Sequence, residues 1–294
     1  MATFINRYIS LVQWNDSLKR WTQIKCLQLN LQHSRTATYN LTQIIIQNNI
    51  DVAFLQEPYT IRNNVVGFPK SFKIFACGNG RKRSAVIVNN NNVDAVANKQ
   101  VLDKDTTLIE IRYKGLNFYG ASLNFAIDWD IERDIGKVEE IKELTRGKGL
   151  ILSTDSNSRS KLWHNTYMNQ KGKTLEEFIT SDLLLRNEAT GIPTFETIRR
   201  CSWIDLTLGN NILTQNTRRW TCGQEESCSD HKLILFDIEA GTSGCNVFNN
   251  AGTRYQIKTE DWGKFENKLI SNLLSRFNCM NNYSDLIKCD EELD

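Results

Sequence analysis

The sequence predicts an α/β fold in which two β-sheets pack face to face with helices on their outer sides. Three observations lead there. Short stretches of alternating or continuous apolar residues recur along most of the chain, and only a few amphipathic helical stretches separate them. The 294 residues are enough for one large core. The composition, 40% hydrophobic and 24% charged, is that of an ordinary globular protein. Two packed sheets seat this many strands in one domain.

The elements follow in order. Residues 1–23 scatter Phe4, Tyr8, Trp14 and Trp21 without a period and read as an N-terminal extension. Ile24–Asn30 alternates apolar and polar residues as a half-buried strand does. Thr36–Asn49 spaces Ala37, Leu41, Ile44 and Ile45 at helical intervals. Asp51–Glu57 is a short apolar strand stopped by Pro58. Strands are expected over Phe72–Cys77, Ser84–Val88, Val93–Ala97, Thr106–Tyr113 and Leu116–Leu123, with a turn at Asn89–Asn92. Trp129–Leu144 places Ile131, Ile135, Val138, Ile141 and Leu144 on one stripe and is expected to be a helix. A buried strand over Gly149–Leu152, a short helix over Thr174–Thr180, and strands over Ser202–Leu208 and Lys232–Ile238 complete a domain spanning 24–240. From 241 to 294 the Gly, Ser and Asn of a linker give way to Trp262, Phe265, Leu269, Leu273 and Leu274 at helical spacing.

Bulk properties exclude some classes of function. A net charge of +2 is too small for a protein that binds nucleic acid by overall charge, though it permits a local basic face. The eight cysteines form no CxxC pair and no zinc-type spacing, and their scatter fits reduced thiols in an intracellular protein. The N-terminus lacks the pattern of a signal peptide. No apolar run approaches the roughly 18 residues of a spanning helix, so no membrane association is expected.

Polar residues recur where apolar strands end: Asn30, Glu57, Asp155 with Asn157, Asp205, and Asp230-His231. Strand ends at one edge of a sandwich can converge although they are far apart in sequence. In Ser153–Trp163 (STDSNSRSKLW), Asp155 and Asn157 stand two apart, which on extended backbone turns both side chains to one side. The same residues also make ordinary turns. Asp205 lies inside an apolar strand, where an unpaired carboxylate would be costly, so a partner such as His231 is implied. Metal-assisted phosphodiester cleavage would use such a set. Glu57 and Asp230 offer the oxygen ligands Mg2+ takes, His231 held by Asp205 can stabilise charge or move a proton, and Asn30 and Asn157 can donate amide hydrogen bonds to phosphate.

The ordered segments QLNLQHSRTAT (28–38), VAFLQEPY (52–59), STDSNSRSKLWHN (153–165), GKTLEEFI (172–179), GIPTFE (191–196), CSWIDLTL (201–208) and SDHKLILF (229–236) resemble the endonuclease/exonuclease/phosphatase superfamily. Within it they resemble the apurinic-like endonuclease domain of insect-type non-LTR (LINE-like) retrotransposons. The resemblance implies a four-layer, DNase I-like sandwich and a divalent-metal-dependent DNA endonuclease, with Mg2+ as cofactor and Mn2+ as its substitute. It places Asn30 in the active-site asparagine motif and Glu57 on the metal. Asp155 would orient or deprotonate the attacking water, Asn157 would contact the scissile phosphate, Asp205 would orient His231, and Asp230 would complete the metal or acid cluster. Double-stranded DNA is the implied partner, with Arg81-Lys82-Arg83, Arg159 and Arg199-Arg200 as candidates to hold its backbone, Arg159 beside the site. The segment TRYQIKTEDWGKFENKL (253–269) resembles the stretch leading to a reverse transcriptase domain, and an intracellular, nuclear location is expected.

Two positions depart from the family's pattern. Asn124 stands where relatives usually place a tyrosine after the strand YGASL, so a phenol on the phosphate is replaced by an amide. Gln32 stands where repair-type relatives have an acidic residue. The first leaves open a catalytically impaired copy that keeps the fold. Another phosphoesterase of the superfamily also fits the core motifs, but not SRSKLW, GIPTFE and DWGKF.

Overall fold

The computed structural model describes residues 23–239, so the expected N-terminal extension, apart from Gln23, and the expected linker and helical tail lie outside the described residues. In chain order the first half comprises β1 (Gln23–Asn30), α1 (Arg35–Gln47), β2 (Val52–Gln56), β3 (Thr60–Ile61), β4 (Asn64–Val65), β5 (Lys73–Phe75), β6 (Ser84–Val88), β7 (Asp94–Ala97), β8 (Thr106–Tyr113) and β9 (Leu116–Asn124). Then come α2 (Ile131–Leu144), β10 (Gly149–Asp155), a 3-10 turn (Lys161–Trp163), α3 (Gln170–Asp182), β11 (Leu184–Leu185), β12 (Phe195–Thr197) and β13 (Arg200–Ser202). β14 (Asp205–Gly209), α4 (Asn211–Thr214), β15 (Thr217–Cys222) and β16 (Ile234–Glu239) close the described chain.

Two six-stranded sheets result, in the orders β15-β16-β1-β2-β6-β5 and β11-β14-β10-β9-β8-β7. Each has one parallel pair at its centre, β1 with β2 and β10 with β9, and antiparallel strands outside it. Apolar residues fill three layers. Phe54, Phe118, Ile151, Trp220, Phe236 and their neighbours form the core between the sheets. Leu41, Ile44 and Ile45 of α1 cover the outer face of the first sheet, and Val138, Ile141, Leu175 and Ile179 of α2 and α3 cover the outer face of the second. The four layers match the fold expected from the sequence.

Local chemistry sets the element ends. Ser34 caps α1 by accepting from the Ala37 N–H at 3.1 Å. Asn169 caps α3 in the same way through the Gly172 N–H at 2.8 Å, which starts that helix four residues before the apolar spacing does. A Cβ on Gly172 would stand 1.8 Å from the Arg159 carbonyl oxygen, so only glycine lets this helix close onto the loop after β10. The expected helix at Trp129 begins at Ile131, leaving Trp129 in the preceding loop. The single strand expected over Ser202–Leu208 is two: Ser202 ends a small hairpin of β12 and β13, and β14 starts at Asp205. β15 has no counterpart in the sequence reading. Its register shifts between Arg218 and Thr221, with Arg219 at φ 53°, and this irregularity erases the alternation by which strands are recognised.

At one edge the apolar filling gives way to polar ties between the sheets. Gln28 donates to the Thr154 carbonyl at 3.2 Å and accepts from the Thr207 hydroxyl at 3.1 Å. Gln56 donates to Ser122 Oγ and to the Ser153 carbonyl at 3.0 and 2.9 Å. All are buried.

Candidate active site

The sheet topology brings the candidate residues to that polar edge. The C-terminal ends of the parallel strands β1, β2, β9 and β10 lie there, and so do the N-terminal starts of their antiparallel neighbours β6, β8, β14 and β16. In register, Asn30 pairs with Gln56, Asp155 with Asn124 on one side, and Asp155 with Asp205 on the other.

The buried heart of the site is Asn30, Asp155, Asp205 and His231. Asn30 Nδ2 donates to Asp155 Oδ2 at 2.8 Å. His231 Nδ1 is 2.9 and 3.1 Å from the two oxygens of Asp205. One ligand atom from each of Asp155, Asp205 and His231 lies within 4.8 Å of the others. Burial, and then the charge of Asp205, pushes the Asp155 carboxyl up to about 7, against the lowering influence of His231 and the Asn30 amide. Burial disfavours the His231 imidazolium, but Asp205, by charge and by hydrogen bond, outweighs it with help from Asp155 and Glu57, and His231 rises to about 9. His231 is therefore cationic at neutral pH, next to a carboxyl poised to take or release a proton.

Glu57, Asn124 and Asn157 line an open cleft of about 360 Å³ at the same edge. Glu57 takes φ 45° just past β2, and its N–H donates to the Arg83 carbonyl at 2.9 Å. Asn157, at φ 48°, is anchored by its side-chain donation to the Phe125 carbonyl at 2.9 Å and by its N–H to Asp155 Oδ1 at 3.3 Å. Asp155 and Asn157 thus do stand together, but through a turn in which the backbone of one binds the side chain of the other. Asn124 is buried, and its amide reaches the Arg83 carbonyl only at 3.5 Å. The cleft lining does not include Asn30, Asp155, Asp205 or His231, which sit behind it.

Two expected residues do not line the cleft. Asp230 is exposed, bonded through Oδ2 to Gln32 Nε2 at 3.1 Å, while its own N–H donates to Gln32 Oε1 at 3.0 Å. Arg159 stands over the Tyr167 ring at 5.6 Å and does not line the cleft. Of the residues lining the cleft, Lys104 and Trp129 were not singled out from the sequence, whereas Arg83, expected to hold the DNA backbone, does line it.

Oxygen donors dominate the site, as a hard divalent cation requires. Glu57 lines the cleft, and its charge acts on both Asp155 and His231. The Asp155, Asp205 and His231 set could hold an ion, but His231 Nδ1 and Asp205 already bind each other, which favours a proton-handling pair over shared ligation.

Comparison with known proteins agrees with this geometry. Residues 124–235 match the endonuclease-reverse transcriptase family. The Pol polyprotein of the type-1 retrotransposable element R1 from Bradysia coprophila is 23% identical over 218 residues, which are 70% of this chain and 22% of that one. This chain therefore spans about a fifth of that relative's length. Among solved structures, the endonuclease domain of TRAS1, a telomere-specific non-LTR retrotransposon, superposes with a TM-score of 0.68 at 26% identity, covering 74% of this chain and 98% of that one. The AP endonuclease LMAP from Leishmania major shares the fold, with a TM-score of 0.58 at 10% identity over 74% of this chain and 88% of its own. Among the described residues no helix is long and apolar enough to cross a membrane. Residues 23–239 share the fold of the endonuclease/exonuclease/phosphatase proteins and are similar to the endonuclease portions of non-LTR retrotransposons.

Proposed function

We propose that this domain is a divalent-metal-dependent DNA endonuclease that nicks one strand of a duplex. The observation that carries the reading is the pairing of Asn30 with Asp155 directly beside the His231–Asp205 pair, behind a cleft lined by Glu57. Glu57, with the carboxylate of Asp155 and the amide of Asn30 nearby, would hold Mg2+, or Mn2+ in its place. A bound ion would polarise the phosphate and ease ionisation of the attacking water.

The protein's own residues would divide the remaining work. Asp155 orients that water and accepts its proton, for which a carboxyl near 7 is well matched at neutral pH. Asn30 donates to Asp155 Oδ2 and so fixes which oxygen receives the proton. His231, cationic and held through Nδ1 by Asp205, keeps Nε2 free to donate to a phosphate oxygen as negative charge builds up. Asn157 adds a neutral donor. Asp230, at the rim with Gln32, would tune the field at the metal. Linkage to a reverse transcriptase and a nuclear location belong to the same proposal.

A second reading, an impaired copy of such an enzyme, rests on Asn124, whose amide makes only the long contact to Arg83. A substrate panel separates the readings. Supercoiled plasmid, RNA, a phosphoinositide and a nucleotide are incubated with Mg2+ or Mn2+, using the wild type and Glu57→Ala. Nicking of plasmid alone, lost in Glu57→Ala, is the expected result. Turnover of another substrate in preference to plasmid contradicts the DNA assignment, and no turnover of any favours the impaired copy.

A further inference from the structure

One wall of the cleft carries a group of cations that the proposed chemistry does not use. Trp129, in the loop between β9 and α2, has three cationic groups against its indole: the Arg133 guanidinium at 3.4 Å from the ring centroid, the Lys104 ammonium at 5.2 Å and the Arg83 guanidinium at 5.4 Å. Like charges gathered this closely repel, so each needs compensation. Arg83 has it from Asp105, through Nε at 2.5 Å, and the ring faces supply a further share. Lys104 meets no carboxylate within ion-pair distance among the described residues; its recorded partner is the indole. Arg83 also keeps Nη2 buried without a protein acceptor.

The geometry is built rather than incidental. The loop 78–83 lies against 103–104 so closely that a Cβ on Gly78, which has φ 90°, would stand 2.3 Å from the Lys104 backbone nitrogen. The Arg83 and Ser84 N–H groups both donate to the Lys104 carbonyl, at 2.6 and 3.0 Å. Arg81, Arg83, Lys104 and Trp129 line the same cleft as Glu57 and Asn124. Because Arg133 already lies on the indole, the ring serves better to collect cations than to stack a base.

We propose that Trp129 gathers Arg83 and Lys104 into a second phosphate subsite, which holds a backbone phosphate of the duplex other than the one being cut. The subsite rests on the nuclease reading above and extends it. Trp129 is a positioning residue, and Lys104 and Arg83 make the contact. Such a contact fixes the register of the duplex in the cleft without reading its sequence.

Each phosphate neutralised by a cation adds about 0.9 to the slope of log affinity against log salt concentration. Binding of a duplex oligonucleotide is therefore measured by fluorescence anisotropy across a KCl series, with EDTA present so that nothing is cut, and KM and kcat for nicking are measured with Mg2+. Lys104→Ala is expected to lower the slope by about one unit and raise KM about tenfold, leaving kcat near the wild-type value. Trp129→Ala should do the same and Trp129→Phe should largely restore both, whereas a merely structural role for the ring would leave the slope unmoved. If the wild type nicks DNA and Lys104→Ala keeps the full slope and KM, the subsite is wrong and the nuclease reading stands. If the wild type neither binds nor nicks duplex DNA, both are overturned.

Discussion

Asn30 Nδ2 donates to Asp155 Oδ2 across 2.8 Å, joining the last residue of β1 in one sheet to the last residue of β10 in the other. The two residues are 125 positions apart, and the contact exists only because both parallel pairs end at the same edge. It is a neutral donor on a buried carboxylate, so it favours the ionised form against the burial that opposes it. Removing it with Asn30→Ala should push the Asp155 carboxyl higher and shift the acid limb of the pH–rate profile for nicking to higher pH. A hydrogen bond to a charged group is worth about 1.5–3 kcal/mol, so the rate at neutral pH should fall roughly 10- to 100-fold. An unchanged acid limb would detach Asn30 from Asp155.

The His231–Asp205 pair predicts how stability depends on pH. His231 sits at about 9 in the folded protein against an ordinary 6.5, so its contribution is complete below about pH 6.5 and is lost as pH rises through about 9. Asp155 sits at about 7 against 3.8, so the cost of burying it charged is absent at low pH and grows as pH climbs to about 7. Both lower stability as pH rises. In denaturant titrations with chelator present, His231→Gln should be destabilised relative to the wild type near pH 6, and the gap should close by about pH 10. A gap that widens with pH would mean that His231 is neutral in the fold.

Gln32 and Asp230 form a two-way clasp, each donating to the other, on the strand-free segment that leads into His231. The acidic residue found here in repair-type relatives would set a second negative charge about 3 Å from Asp230. Gln32→Glu should therefore cost about 1 kcal/mol, a fall in Tm of roughly 2–4 °C, with the loss disappearing once both carboxyls protonate. Thermal melts at neutral and acidic pH check this.

Asn124 closes β9 beside Asp155 and lines the cleft, yet its amide makes one long contact. Asn124→Tyr should place a phenol in the cleft and raise plasmid nicking about a hundredfold, the low end of what a positioned proton donor contributes. No gain in rate, in a variant that melts like the wild type, would show that Asn124 is adequate as it stands.

Much of this was legible in the sequence because strands announce their ends. Asn30, Glu57, Asp155, Asp205 and His231 interrupt or terminate apolar runs, and a carboxylate inside SWIDLTL demands a partner. Pairing direction is not written in a strand's own residues, so the sequence could not say that Arg83 and Asp105, which precede β6 and β8, arrive at the same edge. Trp129 was read as the first residue of a helix; its place in a loop follows from the start of α2 at Ile131. Arg159 looked close to the site by position in sequence, but the turn after Asn157 carries it to Tyr167. A strand bent by a positive φ at Arg219 hid β15 for the same reason that periodicity found the others.

The most direct test of the central claim is single-turnover nicking of supercoiled plasmid with Mg2+ by the wild type and by Asp155→Asn, which keeps the shape of the side chain and removes its ability to take a proton. Nicking by the wild type is expected, with a loss of about a hundredfold or more in Asp155→Asn and duplex binding retained. Equal nicking by the two proteins would contradict the claim.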